Sequence, residues 1–538
     1  MSGASMLLRR PALVLLGAAL LLLAPSLVEG TLYSDNAAWN LNWADQFARQ
    51  VQAGILYPRW LADSFHGLGA PTFYFYPPLP FWIDALVSVV TLDVLSVSHR
   101  LAVSAAVILW LSGLAMHRWL LAEAGRPVPA LMGAVLYMAA PYHLVDHYMR
   151  GAFAEFTAVA VLPVAMLGLR RIADGRAHGV PLFAIGYAAL LLSHLPVALL
   201  ASTTLLPTYV IWRVRKPAAI AGGMLGIAMA ALYVAPAMLL QDWISAAWLW
   251  SSFYRVEAWF FFTPSLWPDV VTMQVVVAMA AAYALIVIAV AVQARAVSFW
   301  VVLCLASIVL VSGLVPWFWR LPELAKVQFP WRLMTVVEFA AITAACTVDF
   351  GKLRKPAFWL FVLAALPLVQ AEILAVRSVV GVIELTRRYM PLPRLEGKEY
   401  VAHGLPGMLE GDEAALRQAS AAPLIACTPE PRLCRATELS FGRLALELEA
   451  DRPTQVVVRR FFFPAWQLDQ GLATGPAVVP SDPLRLVSFE VPAGHLATQL
   501  TRRVLPVEQW SWAISGAAWA AWLIMLVSAG SSARRGSR

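Results

Sequence analysis

Long apolar runs dominate the chain and alternate with short polar turns. Several approach the ~20 residues that a helix needs to span the hydrocarbon core of a bilayer. The runs lie at residues 11–28, 99–119, 128–142, 155–169, 180–193, 195–212, 217–239, 270–291, 297–315, 333–349, 357–375 and 508–530. The pattern predicts a polytopic α-helical membrane protein with about twelve crossings.

One further apolar stretch, residues 79–97, is predicted to be a helix that does not cross. It contains Asp84 and Asp93, and a carboxylate at membrane depth is costly. Counting it as a crossing would also put the basic pair Arg170 and Arg171 outside, against the positive-inside rule. We therefore expect a juxtamembrane helix here.

Basic clusters orient the predicted helices. The clusters at 170–171, 213–216, 352–355 and 534–535 are all expected to be cytoplasmic, which also places both termini there. The first helix follows Arg9 and Arg10 and is interpreted as an uncleaved anchor, with a cleaved signal peptide as the alternative.

The polar region 376–507 differs from the rest of the chain. Strict alternation at 445–449 and 454–459, with turns rich in Pro, Gly and Asp, predicts a mainly-β domain outside the cytoplasm. The domains are thus residues 1–375, 376–507 and 508–538. Cys427 and Cys434 fall in the β region, where a disulfide is expected. No His or further Cys accompanies the pair, which disfavours a metal site.

Composition supports the membrane class and excludes nucleic-acid binding. Of 538 residues, 60% are hydrophobic and 13% are charged. Soluble proteins carry about 25% charged residues. The net charge of +8 comes from short basic clusters between apolar runs, as expected from membrane topology.

The first long polar segment, residues 30–97, follows directly on the first helix. Ionisable groups at the edge of a membrane protein indicate a functional site. Asp35 is our catalytic candidate, because glycosyl transfer needs a carboxylate that orients or deprotonates an acceptor hydroxyl. The alternative for Asp35 is a helix N-cap. Asp45 with Arg49 at i+4 is typical of a solvated ion pair.

Further candidates lie in the same segment and at other predicted outer turns. Aromatic faces beside an arginine hold sugar rings or phosphates, although membrane-interface belts share that composition. Arginines at helix starts hold lipid phosphates or anchor headgroups. The substrate-binding candidates are Arg59, Tyr76, Arg150, Glu155, His194, Glu257 and Arg332. For His194 the alternative is a structural hydrogen bond to the backbone.

The sequence contains no motif typical of a metal site. His143 and His147 lie close together in the second outer segment, but a third ligand pattern is missing. No metal-ligating residue is therefore assigned. The cofactor is left unknown, with a divalent metal open.

Several motifs resemble one family. They are W-x-x-Q-F, G-x-L-Y-P-R-W and G-x-G-x-P-x-F-x-F-Y-P-P-L-P within residues 35–80, and the stretches 148–156, 193–196, 328–332 and 461–466. Over residues 10–375 the chain resembles the bacterial integral membrane proteins called 6-pyruvoyl-tetrahydropterin synthase-related. That family is similar to the GT-C glycosyltransferases, which have many spans, use polyprenyl-phosphate sugars and carry an acidic residue in the first external loop.

The resemblance implies roles for individual residues. Asp35 matches the first-loop carboxylate, and Arg150 and Glu155 match the second-loop motif. One departure concerns the histidine that often follows the first aspartate in the family, since residues 36–39 here read Asn-Ala-Ala-Trp. A metal in the first loop is therefore not implied.

We expect a GT-C-like glycosyltransferase of the bacterial inner membrane, acting at its outer face. The donor would be a polyprenyl-phosphate sugar, and the periplasmic β domain would present a glycan, lipid or protein acceptor. Asp35 would act on the acceptor hydroxyl, Arg150 and Arg332 would neutralise the leaving phosphate, and Glu155 would position Arg150. Membrane lipids and cell-envelope polysaccharide machinery are the expected partners. The alternatives are a lipid or glycan transporter, although no inverted repeat is evident, and a noncatalytic scaffold of a polysaccharide pathway.

Overall fold

Helices make up most of the chain. The computed structural model describes residues 10–31, 36–389, 396–402, 413–469 and 476–535. Helices α1 to α22 run over Pro11–Leu22, Ala24–Glu29, Ala37–Gln52, Ser64–Gly67, Thr72–Phe75, Leu79–Val90, Val97–Ala124, Pro127–Met138, Pro141–Tyr148, Phe153–Ala173, Gly179–Ser193, Leu195–Thr203, Leu205–Arg213, Lys216–Leu239, Val270–Ala294, Phe299–Val311, Pro316–Trp319, Pro322–Ala325, Met334–Thr347, Lys355–Tyr389, Glu413–Ala421 and Pro506–Arg535. Short 3₁₀ turns occupy much of the connection between α14 and α15.

Among the described residues, 8 helices are long and apolar enough to cross a membrane. They cover Val97–Ala124, Pro127–Tyr148, Phe153–Ala173, Leu195–Arg213, Lys216–Leu239, Val270–Ala294, Lys355–Gly381 and Pro506–Ala529. The chain is a multi-pass membrane protein, as predicted. Shorter apolar helices such as α1, α11 and α16 also lie at predicted crossings, and the count of about twelve stays a prediction.

The apolar stretch 79–97 forms a short helix, α6, of 12 residues. It ends at Val90 because Leu92 and Asp93 adopt positive φ angles of 52° and 56°. The buried Asp84 carboxylate accepts from Arg100 Nε of α7 at 2.9 Å. The helix is shorter than the ~20 residues that span a bilayer, and that this segment does not cross stays a prediction.

Helices α10 and α11 pack very closely. A Cβ built on Gly168 would lie 2.3 Å from the backbone nitrogen of Phe183. Only glycine permits this approach.

Glu123 lies at the C-terminal end of α7. Its buried carboxylate binds Arg170 and Arg213, which were both predicted to be cytoplasmic. The two arginines therefore lie at one end of the helix bundle.

The C-terminal region contains the predicted β domain. Strands β1 to β8 run over Ile425–Thr428, Leu433–Glu438, Leu444–Ala450, Thr454–Phe461, Trp466–Asp469, Val479–Ser481, Leu486–Val491 and Gly494–Arg502. They form two antiparallel sheets in the orders β1-β4-β7-β6 and β2-β3-β8-β5. The buried face of β3 carries Leu444, Leu446 and Leu448, which explains the alternation in the sequence.

The predicted disulfide is present between Cys427 of β1 and Cys434 of β2. It connects the two sheets. The proposed start of the β domain at residue 376 falls inside α20, which continues to Tyr389.

The β domain rests on the first polar segment. The Phe461 backbone nitrogen donates to Leu68 O at 2.8 Å, and the rings of Trp60 and Trp466 meet edge to face at 5.1 Å. Buried residues from both regions belong to one continuous hydrophobic cluster. The first segment is thus held between the membrane helices and the β domain.

Candidate functional site

A cavity of about 680 Å³ opens where the first polar segment, the α9–α10 turn and the segment before α19 meet. Five of the predicted site residues line it, namely Tyr76, Arg150, Glu155, His194 and Arg332. These residues come from separate parts of the sequence, so the fold brings them together. A concave space with a few convergent polar groups is the usual form of a ligand site.

The centre of the polar end is the Glu155 carboxylate. Its Oε2 accepts from Arg150 Nη1 at 2.9 Å and from Arg332 Nε at 3.2 Å. Its other oxygen, Oε1, accepts from the hydroxyl of Tyr142. Glu155 is 1% exposed, Arg150 6% and Arg332 7%. Glu155 therefore fixes both guanidinium groups, whereas the sequence predicted this only for Arg150.

Local backbone geometry delivers Arg150 to this position. Gly151, with φ of 59°, turns the chain between α9 and α10. Arg150 Nη1 also donates to Asp146 Oδ1 at 2.5 Å, one helical turn earlier. The Arg150 carbonyl accepts from Asn36 N at 3.0 Å. The second outer segment and the residue following Asp35 are thus joined directly.

Arg332 is positioned by its own neighbours in the sequence. Gln328, at φ 70°, turns the chain so that Arg332 Nη1 donates to Val327 O at 2.5 Å and to Gln328 Oε1 at 3.2 Å. The Arg332 Cζ lies 4.8 Å from the ring centre of Phe329. Phe329 and Trp331 stack at 4.5 Å. A planar guanidinium held on an aromatic face suits recognition of an anion.

Each arginine keeps donors for a ligand. Within the described part of the chain, Arg150 Nη2 and Arg332 Nη2 have no hydrogen-bond partner, and neither is among the fully enclosed unpaired atoms. The immediate cluster has two arginines and the two carboxylates of Asp146 and Glu155. An arriving phosphate would therefore meet preorganised guanidinium donors rather than a strong excess of positive charge.

His194 caps a helix and lines the cavity. Its extended backbone, with φ of −163°, separates α11 from α12. Its Nδ1 accepts from Val197 N at 3.4 Å. The backbone role weighed in the sequence is therefore present, and the ring also contributes to the cavity wall.

The cavity also has an apolar arm between helices α11, α12 and α14. Its lining includes Tyr187, Leu191, Leu199, Val234 and Met238. Tyr187 and Ser202 lie about two helical turns from His194, so the arm extends about two turns along α11 and α12. The space combines a polar end with a long apolar side.

Three predicted site residues are not among the described lining. Asp35 lies outside the described residues, although the next residue, Asn36, lines the cavity. Glu257 is exposed on a 3₁₀ turn. Arg59 is buried elsewhere, with its Nε 2.9 Å from Glu508 Oε1 of α22. The geometry gives no support to substrate contacts by Arg59 and Glu257.

Among the lining residues that the sequence analysis did not identify are Glu399 and Tyr400. Both were assigned to the β domain, and only the tertiary fold brings them to the membrane cavity. For metals, the described residues contain no group of three or more His, Cys, Asp or Glu side chains placed to hold an ion. His147 instead shares a hydrogen bond of 2.9 Å with Ser26.

Comparison with known proteins gives distant matches. No known protein family and no curated protein sequence matches the chain, so the resemblance to the 6-pyruvoyl-tetrahydropterin synthase-related proteins finds no support. Two cryo-EM structures of mycobacterial arabinofuranosyltransferase AftD do match. A mutant form is 18% identical over 72% of this chain and 29% of its own, with a TM-score of 0.42. The second structure is 17% identical over 72% of this chain and 27% of its own, with a TM-score of 0.39.

The present chain spans under a third of the length of those transferases. A structural likeness this distant does not define an activity for this chain.

Proposed function

We propose that the protein is a membrane glycosyltransferase of GT-C type that moves a sugar from a polyprenyl-phosphate donor to an acceptor outside the cytoplasm. The observation that carries the proposal is the cavity, in which two arginines with N–H groups that have no partner among the described residues adjoin apolar side chains of α11, α12 and α14. A lipid-linked phosphate has the same two-part chemistry. The donor phosphate would lie against Arg150 and Arg332, and its prenyl chain in the apolar arm.

The reaction needs stabilisation of the leaving phosphate and activation of an acceptor hydroxyl. As the bond between the anomeric carbon and the phosphate oxygen breaks, negative charge grows on the phosphate. Guanidinium groups fixed by Glu155 would stabilise that charge without reorganising. The attacking hydroxyl must lose its proton, and Asp35 is our candidate for accepting or orienting it.

The test is replacement of Asp35 by Asn, with Asp45→Asn as the matched control. Asp45 lies in the same polar segment but pairs with Arg49 on the surface, where the two side chains are 42% and 47% exposed. Purified membranes are incubated with synthetic polyprenyl-phosphate sugars, and transfer of labelled sugar is measured. We expect transfer to fall at least ~100-fold in Asp35→Asn and to stay near wild type in Asp45→Asn.

Full transfer by normally expressed Asp35→Asn protein would refute the catalytic assignment. Movement of labelled donor across the membrane without transfer would favour a transporter. A scaffold role would be favoured if wild-type membranes and the variants showed the same background transfer.

A further inference from the structure

Residues 396–402 form a short strap across the cavity. The strap precedes the β domain in the chain, yet Glu399 and Tyr400 line the membrane cavity. Its C-terminal end is held by Ser245, whose backbone nitrogen donates to Val401 O at 2.9 Å, and by the bridge between Ile244 and Ala402. The strap is therefore part of the wall.

The other end of the strap is fixed to the first polar segment. The buried Glu396 carboxylate accepts from Trp43 Nε1 at 2.7 Å, from Ser64 Oγ at 2.5 Å and from Asn42 Nδ2. The Tyr400 ring meets Trp43 edge to face at 5.8 Å. With both ends attached, the backbone that carries Glu399 has a defined position.

Glu399 differs from Glu155, the carboxylate at the arginine end. Glu155 is paired with two arginines, whereas the Glu399 carboxyl is hydrogen-bonded by its own backbone N–H and the Tyr400 side chain, with no cation acting on it among the described residues. Burial raises the pKa of the half-buried Glu399 carboxyl above its usual range. Burial raises the pKa of the Tyr76 and Tyr254 hydroxyls, and the Glu399 charge raises both further. The Arg332 charge opposes this rise. Glu399 thus lines the same cavity as Tyr76 and Tyr254.

We propose that Glu399 positions the acceptor by accepting hydrogen bonds from hydroxyl groups of a sugar. This inference rests on the proposed function and names the acceptor class, a glycan end that carries free hydroxyls and no phosphate. An ionised carboxylate accepts strongly from hydroxyl donors. It also repels phosphate, so the Glu399 side would disfavour a second phosphorylated lipid and leave that ligand to the arginines.

The experiment uses the full chain in phosphatidylcholine nanodiscs with two kinds of probe. One is a panel of methyl glycosides of glucose, galactose, mannose and arabinose, and the other is undecaprenyl phosphate. Binding is measured by calorimetry for wild type, Glu399→Gln, Glu399→Asp and the control Asp242→Asn. Asp242 is an exposed carboxylate near the strap and is not among the lining residues.

We expect wild type to bind at least one glycoside, with affinity reduced about tenfold in Glu399→Gln and less in Glu399→Asp. Asp242→Asn should match wild type, and undecaprenyl phosphate affinity should be unchanged in all variants. Equal thermal midpoints would show that the loss is not a folding defect.

Two results would overturn the role of Glu399. These are wild-type affinity for glycosides in Glu399→Gln, and failure of wild type to bind any of the glycosides while undecaprenyl phosphate binds. The converse result, glycoside binding that depends on Glu399 without binding of undecaprenyl phosphate, would support Glu399 as a sugar site and refute the donor in the proposed function.

Discussion

Arg59 and Arg332 both follow an aromatic–proline sequence, yet the fold uses them differently. Arg59 is enclosed, with Nε on Glu508, Nη2 donating to Leu232 O at 2.8 Å and Cζ 4.1 Å from the ring centre of Tyr57. Arg332 is equally buried but adjoins a cavity. Burial of an arginine therefore does not distinguish a structural role from a binding role. What distinguishes the two arginines is the cavity, which Arg332 lines and Arg59 does not.

The largest effect is expected at the enclosed arginine. Arg59→Met leaves the Glu508 carboxylate buried without its cation, which typically costs about 3–5 kcal/mol. We expect a strongly lowered thermal midpoint in detergent. The double variant Arg59→Met/Glu508→Leu should recover much of the loss. If Arg59→Met alone were as stable as wild type, Arg59 would not have a structural role.

At the cavity, Arg332→Gln should act mainly on function. Loss of a charged hydrogen bond to the donor phosphate is worth about 1.5–3 kcal/mol, or about 10–100-fold in kcat/KM. Arg332→Lys should recover only part of this, because lysine lacks the planar fork. Steady-state transfer from a polyprenyl-phosphate sugar measures both. Equal kinetics in Arg332→Gln and wild type would remove Arg332 from the site.

Glu396 attaches the strap to the first polar segment and should make the stability of the protein depend on pH. Burial raises the pKa of Glu396 to about 7, above about 4.3 for an unfolded glutamate. Between these values the folded state binds more protons, so the free energy of unfolding decreases as pH rises, by roughly 3 kcal/mol across the range. Glu396→Gln should flatten this slope. Thermal midpoints at pH 5, 6 and 8 test it, and parallel slopes in both proteins would contradict it.

The smallest effect is expected on the surface of the same first segment. Arg49 bridges Asp45 and Asp63, with the three side chains between 38% and 47% exposed. Solvent-exposed pairs contribute about 0.2–1 kcal/mol. Arg49→Ala should change stability by no more than this and leave transfer intact. A loss of stability as large as that of Arg59→Met would mean that side-chain exposure does not predict how much an arginine of this segment stabilises the fold.

The sequence predicted much of the fold because its signals are local. Apolar runs of bilayer length predicted the long apolar helices, and two charged positions marked the short helix near Asp84. Five site residues could be predicted because polar groups at helix ends are rare in such an apolar chain. The fold brings these five residues to one cavity.

What the sequence could not supply depended on tertiary contacts. The same aromatic–proline context precedes Arg59 and Arg332, and nothing local tells which one adjoins a space. The strap was missed because its position depends on Glu396 reaching residues 42–64, more than 300 positions earlier in the chain. Asp35 falls outside the described residues, so its role stays a prediction.

The most direct test compares undecaprenyl phosphate with undecaprenol, which lacks the phosphate, as ligands of the full chain in phosphatidylcholine nanodiscs. If the arginine end holds the phosphate and the apolar arm the prenyl chain, wild type should bind undecaprenyl phosphate at least ~10-fold more tightly. Arg332→Gln should lose most of that preference, and Arg49→Ala should retain it. Equal affinities for the two lipids in wild type, or an unchanged preference in Arg332→Gln, would contradict the assignment of this cavity to a lipid-linked phosphate donor.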